Sequence, residues 1–310
     1  MPGCAQPFQL APLYNPAFTG IENFNDFKFA YRYQWAAFKE NAPQFANLSY
    51  TIRIKQPLDL KVNSIRTSRS DFTNIIPKIR LNIQGLGINV FSDEYGPVKR
   101  YGGGVHYAIH VPLSETVFVS AGTGAAIEMT RVNGDDLNFG ENPDPDPFMD
   151  RLKNGTGNHT ELWTRVGLLL YGENFYIGGA YFPYNSTLAK SEVQFNDPFY
   201  KGNLQAGVSF HLTEDFVVKP SVFALLQTSG DLSLDYSSKF YLQDRAWFGL
   251  TYRDVKSGVG SAGFHVNEKV SVSYSFEFSM GKLRTFTGSS HDVVLAIRFK
   301  NLKRVNQYTW

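Results

Sequence analysis

One cysteine, Cys4, stands among 310 residues, which excludes an internal disulfide framework. No stretch approaches the roughly 18 consecutive apolar residues that a membrane-crossing helix needs. The most apolar runs, such as 166–171, have only the length of a strand. Charge is sparse at 19%, and the formal net charge of +2 is too small to argue for a nucleic-acid partner. No Lys/Arg cluster interleaves with aromatics as a single-strand binder would require. Low-complexity linkers and charge-run boundaries are missing as well, so the chain reads as one unit although its length alone would suggest about two. What it has in quantity is aromatic: 26 Phe and 17 Tyr, with Phe, Tyr and Trp together making 15% of the residues. With helices excluded, a membrane reading has to be a closed barrel, because only helices and barrels satisfy their backbone groups in lipid. Aromatic girdles at two interfaces suit that reading.

The last hairpin shows the pattern a barrel needs. Val270, Val272, Tyr274, Phe276 and Phe278 fall on one face, and Ser271, Ser273, Ser275, Glu277 and Ser279 fall on the other. Successive side chains of a strand point to opposite faces, so this is a ribbon with one apolar side. After a Gly/Ser-rich turn, Val293, Leu295, Ile297 and Phe299 oppose Asp292, Ala296, Arg298 and Lys300. A half-buried soluble sheet reads the same way, so recurrence along the chain has to decide. In the membrane reading the apolar set faces lipid. Phe276→Arg then costs about 2–4 kcal/mol, and a lumenal Ser275→Arg much less.

Residues 6–23 contain Pro7, Pro12 and Pro16 and no period, and so read as an extended arm. Gly3-Cys4-Ala5 ahead of Gln6 looks like the small-residue end of a signal peptide, with an ordinary loose terminus as the alternative. The expected division is an arm over 1–23, one barrel over 24–300 and a tail over 301–310. Alternation begins at 26–35 and 47–54 and resumes in ribbons near 79–91, 102–112 and 116–130. It continues near 161–171, 174–183, 204–212, 215–227, 231–238, 245–253 and 259–266. With the final hairpin these make about 14 strands, an all-β, antiparallel, up-and-down transmembrane barrel. Tight links at 113–115, 172–174, 213–215 and 266–269 join even strands to odd ones, and the long links 131–160 and 184–203 join odd to even. Bacterial barrels keep short turns on the periplasmic side, which puts both termini there. The connector 55–78 breaks that rule.

Candidate chemistry dissolves under strand geometry. Ser289, Ser290, His291 and Asp292 spell a nucleophilic triad, but strand neighbours point to opposite faces and a triad must converge. His106 and His110, four apart on a strand, stand about 13 Å from each other, too far to share an ion. They read as lumen-facing polar residues. Asp135, Asp136, Asp144, Asp146 and Asp150 lie in a Pro-interrupted loop without a calcium-loop core. Gly122-Thr123-Gly124 lacks the third glycine and the following helix of a dinucleotide site, and reads as easing barrel curvature. No catalytic, cofactor or metal residue is expected, and no enzymatic activity.

The ordered motifs resemble the PorP/SprF family of outer-membrane proteins, from the type IX secretion and gliding machinery of Bacteroidetes. The resemblance covers nearly the whole chain. Asn15-Pro16-Ala17-Phe18-Thr19-Gly20 is similar to the family's NPA-(Y/F)-x-G element, and Tyr31-Arg32-Tyr33-Gln34-Trp35 to its YRxQW. Gly85-Leu86-Gly87 with Asp93-Glu94-Tyr95-Gly96, the strand 175–179, Lys219-Pro220-Ser221 and Ser290-His291-Asp292 also fit, whereas Tyr274-Ser275-Phe276 departs from YSYD. The resemblance implies a multi-pass barrel in the outer membrane without enzymatic activity. Its partners would be periplasmic secretion-machinery components, or a secreted cell-surface adhesin or its C-terminal domain, with outer-membrane lipid around it and no nucleic acid. The other reading of the chain is a channel or transporter for small hydrophobic or polar molecules. Within the connector 55–78, Lys61, Arg66, Arg69, Ile75 and Ile76 are the expected periplasmic docking residues. A lumenal plug or an extra hairpin is the alternative for that segment.

Overall fold

The computed structural model describes residues 4–22, 24–54, 83–114, 116–132, 158–183, 187–189, 200–243, 245–254, 257–280 and 287–299. Among them, β1 (Asn25–Tyr33), β2 (Gln44–Ile54), β3 (Ile83–Tyr95), β4 (Val98–Pro112), β5 (Phe118–Val132), β6 (His159–Tyr171) and β7 (Phe175–Tyr181) run in order around a wall. Next come β8 (Thr187–Ala189), β9 (Tyr200–Val208), β10 (Phe210–His211), β11 (Phe216–Gln227), β12 (Leu232–Leu242), β13 (Ala246–Arg253), β14 (Ser257–His265), β15 (Val270–Ser279) and β16 (Ser289–Phe299). β10 continues the stave of β9, and β8 pairs on β6, so sixteen segments make fourteen antiparallel staves. The wall closes where Asn25 pairs with Phe299 and Tyr33 with His291. Closure leaves no open edge, the condition for an all-strand wall in lipid.

The expected barrel and its count of fourteen staves are therefore present. The expected sorting of link lengths holds only in part. Short links also occur from odd to even staves: Gly96-Pro97 alone joins β3 to β4, and residues 228–231 join β11 to β12. Gly96 has φ +56 and Gly230 φ +95, the backbone sign that tight hairpins demand, so glycine at the bend allows a short link on either side of the barrel. β1 begins and β16 finishes at the same end, called proximal here.

The two faces of the wall have opposite chemistry. Leu168 and Leu204 are each 65% exposed, and Ile88, Val105, Ile177, Leu250 and Phe264 more than half exposed, all pointing outward. A water-soluble surface does not carry apolar area on that scale. Phe276 and Phe278 lie on this outer face, as the alternation predicts. The inner face is polar and yet buried: Lys28, Arg32, Asn47, His106, His110, Lys239, Arg253, Ser275 and Asp292 all have little contact with solvent. What covers them is the arm.

The arm is not extended. It makes a short helical turn, α1 (Ala11–Tyr14), and a 3-10 turn over Pro16–Phe18, and sits inside the lumen. Its apolar side chains, Leu10, Leu13, Tyr14, Phe18 and Ile21, pack in two clusters against Ala30, Phe45, Leu169, Tyr176 and Val294. Asn15 accepts from the Ala17 amide at 2.9 Å, capping a turn whose first residue, Pro16, has no N–H to satisfy. The arm thus gains local structure from Asn-Pro, whereas its lack of period removed it from any strand. A further expectation falls with this one: Ser275 faces the lumen but is wholly buried, so an arginine there meets packed protein rather than water.

Candidate functional site

An irregular segment at membrane depth is tolerable only where protein or water takes its backbone groups. The lumen supplies a donor to one arm carbonyl after another. Arg253 Nη2 donates to Cys4 O at 2.6 Å, Lys28 Nζ to Gln9 O at 2.8 Å and Arg165 Nη1 to Leu13 O at 2.9 Å. Asn203 Nδ2 reaches Tyr14 O at 2.7 Å, and Ser120 Oγ reaches Ala17 O at 2.8 Å. His110 Nε2 lies 2.9 Å from Thr19 O, and Arg53 Nη1 lies 3.4 Å from Ile21 O. These donors come from seven different staves, so the barrel grips its plug all the way round.

At the distal side the grip is ionic. Arg32 on β1 donates to Asp292 on β16 at 2.9 Å and to Glu277 on β15 at 2.7 Å. Arg253 on β13 binds Glu277 at 3.1 Å and, from Nε, Asp235 on β12 at 3.1 Å. The arm enters this network twice, with the Ala5 amide on Asp292 Oδ2 at 2.9 Å and Cys4 O on Arg253. Every charge in the chain of five meets an opposite one, the condition for holding charges out of water. Burial, then the Asp292 carboxylate, pushes the Cys4 thiol up to about 12.

At the proximal side the grip is steric. A Cβ on Gly122 would overlap the backbone of Pro16 and Ala17, one on Gly85 that of Thr19 and Gly20, and one on Gly167 the Asn15 side chain. Asn15 Nδ2 donates to Leu168 O and Gly179 O, both at 3.2 Å. Gly20 itself has φ +76. Gly122 is thus a notch for the plug, a closer requirement than the curvature expected of it. Nothing in the spacing of one glycine signalled this. Glycines 85, 122, 167 and 178 share the inward parity, and that pattern was the available clue.

The expected site residues divide. Asn15, Pro16, Arg32 and Asp292 meet the plug or form it, as described. Gln34 Oε1 accepts from Arg32 Nε at 3.4 Å. Tyr31 points outward and donates to Gln44 at 2.9 Å. Trp35 is 38% exposed at the distal rim, with φ +55 and its amide on Ser290 Oγ at 3.1 Å; its ring lies 6.1 Å from that of Phe38. His291 is outside the lumen, between Tyr274 OH at 2.7 Å and Ser289 Oγ at 3.0 Å, while Asp292 points inward. The triad letters are split across the wall as strand geometry requires. His106 and His110 do face inward, His106 toward Asn89 at 2.7 Å and His110 toward Tyr171 at 2.9 Å. Lys61, Arg66, Arg69, Ile75 and Ile76 lie outside the described residues, as do the acidic residues of 133–157. The connector 55–78, for which a lumenal plug was the alternative, lies outside the described residues; among the described ones the N-terminal arm occupies the lumen.

Among solved structures, the chain is similar to a monoaromatic hydrocarbon channel, CymD, with TM-score 0.52 and 14% identity, covering 95% of this chain and 92% of that one. It is also similar to the toluene transporter TodX of P. putida, with TM-score 0.50 and 10% identity, covering 93% of each. At such identities the likeness shows the barrel fold alone. No curated protein sequence matches. The family described as type IX secretion system membrane protein PorP/SprF matches over residues 6–297, from the plug through the last stave. With its fourteen-stave wall, apolar outside, the chain is an outer-membrane barrel that belongs to the PorP/SprF family of type IX secretion system membrane proteins.

Proposed function

We propose that this barrel serves secretion by binding protein partners at its two mouths, without catalysis and without passing solute through the lumen. The observation that carries the reading is the plug: lumenal donors are committed to the arm's carbonyls, which leaves the rims for recognition. Partners of the kind the family implies are a secreted adhesin at the distal mouth and periplasmic components at the proximal mouth. Trp35 and Phe38, exposed together at the distal rim, offer the aromatic anchors on which interfaces concentrate their energy. The left-handed backbone at Trp35 is the kind of local strain that collects at functional positions. The connector 55–78, with Lys61, Arg66 and Arg69, is the proximal candidate.

The test is a photo-crosslinking residue placed at Phe38 in growing cells, and another at Arg66. The expected products are a large secreted chain from the first and a periplasmic protein from the second. Crosslinks to lipid alone at both positions would sink the reading. A channel role is checked separately by reconstituting the purified barrel in liposomes. Rapid uptake of toluene or small sugars by the unaltered protein would favour transport.

A further inference from the structure

The ion pairs that line the lumen leave Lys239 out. Arg32, Arg253 and Lys28 each have a carboxylate within 3.1 Å. Lys239 on β12 is 1% exposed, and among the described residues its Nζ has no hydrogen-bond partner. It points at the face of the arm's Phe8, 3.1 Å from the ring centre. Directly across the ladder on β11 stands a second lysine, the half-buried Lys219, whose Nζ lies 4.6 Å from the centre of the Tyr241 ring. On its other side Lys239 faces Gly249, which has no side chain to answer it. Lys28, bonded to Gln9 O one residue along the arm, adds a third positive charge, and the nearby Asp26 is already paired with it. The imbalance extends over the inner face of the proximal half, where Lys28, Arg53, Lys219, Lys239 and Arg298 stand against Asp26 and the arm's Glu22.

Like charges directly opposite on a sheet destabilise the pair. An ammonium group carries three donors and is strongly hydrated, and an aromatic face replaces only part of that hydration. We propose that Lys219 and Lys239 form a binding site for an oxyanion, a phosphate or carboxylate group entering from the proximal mouth, with Phe8 as the cap it displaces. Cross-strand Cβ atoms lie about 4.5–5.5 Å apart. Flexible four-carbon stems let both ammonium groups converge on one anion between them. Lysine binds phosphate as a point charge, without the fork geometry of arginine. The Tyr241 and Trp247 rings, 6.2 Å apart, stand beside the pair, and Trp247 meets Phe8 edge-on at 5.5 Å. The arm's hydrogen bonds here are made by Gln6 and Gln9, so Phe8 can turn aside without breaking either. Free phosphate and an acidic side chain of a periplasmic protein offer the same chemistry.

The test titrates the full chain, purified in detergent at low ionic strength, with inorganic phosphate by isothermal titration calorimetry. Phe8→Ala, Lys239→Met and Lys219→Met are measured beside it, with Lys99→Met at the exposed distal rim as the control. The expected result is saturable binding that tightens at least tenfold in Phe8→Ala, because the cap no longer competes. It should weaken at least tenfold in each of the two lysine variants and stay unchanged in the control. Lys239→Met keeps the stem and removes a charge that has no carboxylate, so its heat-unfolding midpoint should not fall. If that variant does not fold, Lys219→Met decides. A second titration uses the end-blocked peptide Gly-Glu-Glu-Gly. Peptide binding with the same dependence on the two lysines names a protein carboxylate as ligand; phosphate binding alone names the free ion. Failure of both anions to bind the unaltered and Phe8→Ala chains overturns the proposal. So does equal affinity in all of the proteins, since the two lysines would then hold nothing.

Discussion

The two ends of the plug are held by different physics. Around Cys4 and Ala5 the barrel presents five charges, Arg32, Arg253 and Asp292 buried and Asp235 and Glu277 partly so, and the arm contributes two backbone groups to their network. Around Asn15 to Gly20 the barrel presents absences: missing side chains at Gly85, Gly122 and Gly167 into which the arm's backbone fits. An ionic grip fails when one member is lost, because the others remain buried without compensation. A steric grip fails when something is added. The distal end is therefore the part of the plug that chemistry can loosen, and the proximal end is the hinge side that stays seated.

Arg32→Ala should give the largest effect. It strips Asp292 of the cation it is paired with and leaves Glu277 ion-paired to Arg253 only, and breaking such a buried pair costs about 3–5 kcal/mol. Unfolding in urea measures the loss, and a maleimide reaction at Cys4 should accelerate because the distal end is freed. A loss below about 1 kcal/mol would show that the five charges contribute little to the grip, and the comparison would break. Gly122→Leu comes next. Overpacking costs about 1–3 kcal/mol, and here the added group meets Pro16 and Ala17 backbone. In a Cys4→Ser background, a reporter cysteine at Ala17 should become reactive, while Cys4 in its own background should stay protected. Exposure of both ends by either change would mean that the plug moves as one body.

These expectations rest on residues that were unevenly legible in the sequence. Val270 to Ser279 declared their strand because a two-residue period survives any context. The same period says which side is polar but not what the polar side meets, and so Ser275 read as a lumenal position where arginine would cost little. The arm carried the opposite problem. Leu10, Leu13, Tyr14, Phe18 and Ile21 are its core contacts, yet Pro7, Pro12 and Pro16 interrupt any repeat that would have announced them. Its fit depends on partners more than 60 residues away, at Gly85, Gly122 and Gly167, and single-sequence patterns do not report such distances. Arg32 and Asp292 were singled out by motif, and their pairing across the barrel seam is what the motif letters meant structurally.

A smaller change sharpens the proximal side. Asn15→Ala removes the cap of the Pro16–Phe18 turn and the two bonds to Leu168 O and Gly179 O. Loss of such a cap costs about 0.5–2 kcal/mol. If the notches alone seat the arm, the Ala17 reporter stays protected in this variant. If it becomes as reactive as in Gly122→Leu, the side-chain bonds are the real anchor and the glycines merely permit them.

The last prediction has almost no energetic weight at neutral pH, yet it reads the distal grip directly. Only the thiolate of Cys4 attacks a maleimide, and burial followed by the Asp292 carboxylate raises its pKa from 9.0 to about 12. At pH 8 the seated plug should then react roughly a thousandfold more slowly than a free cysteine, before any shielding by Leu10 and Leu13 is added. The sign of the linkage follows from which form the fold prefers. The seated state favours the neutral thiol, so this contribution to seating is intact below pH 9 and declines as pH rises from 9 toward 12, where the released state alone ionises. Reactivity in the unaltered protein should climb steeply across that window. In Arg32→Ala, where the distal end is already free, the profile should flatten to that of an ordinary thiol. A free-cysteine profile in the unaltered barrel would mean that the distal end is open in solution, and the contrast between the two grips would collapse to the glycine notches alone.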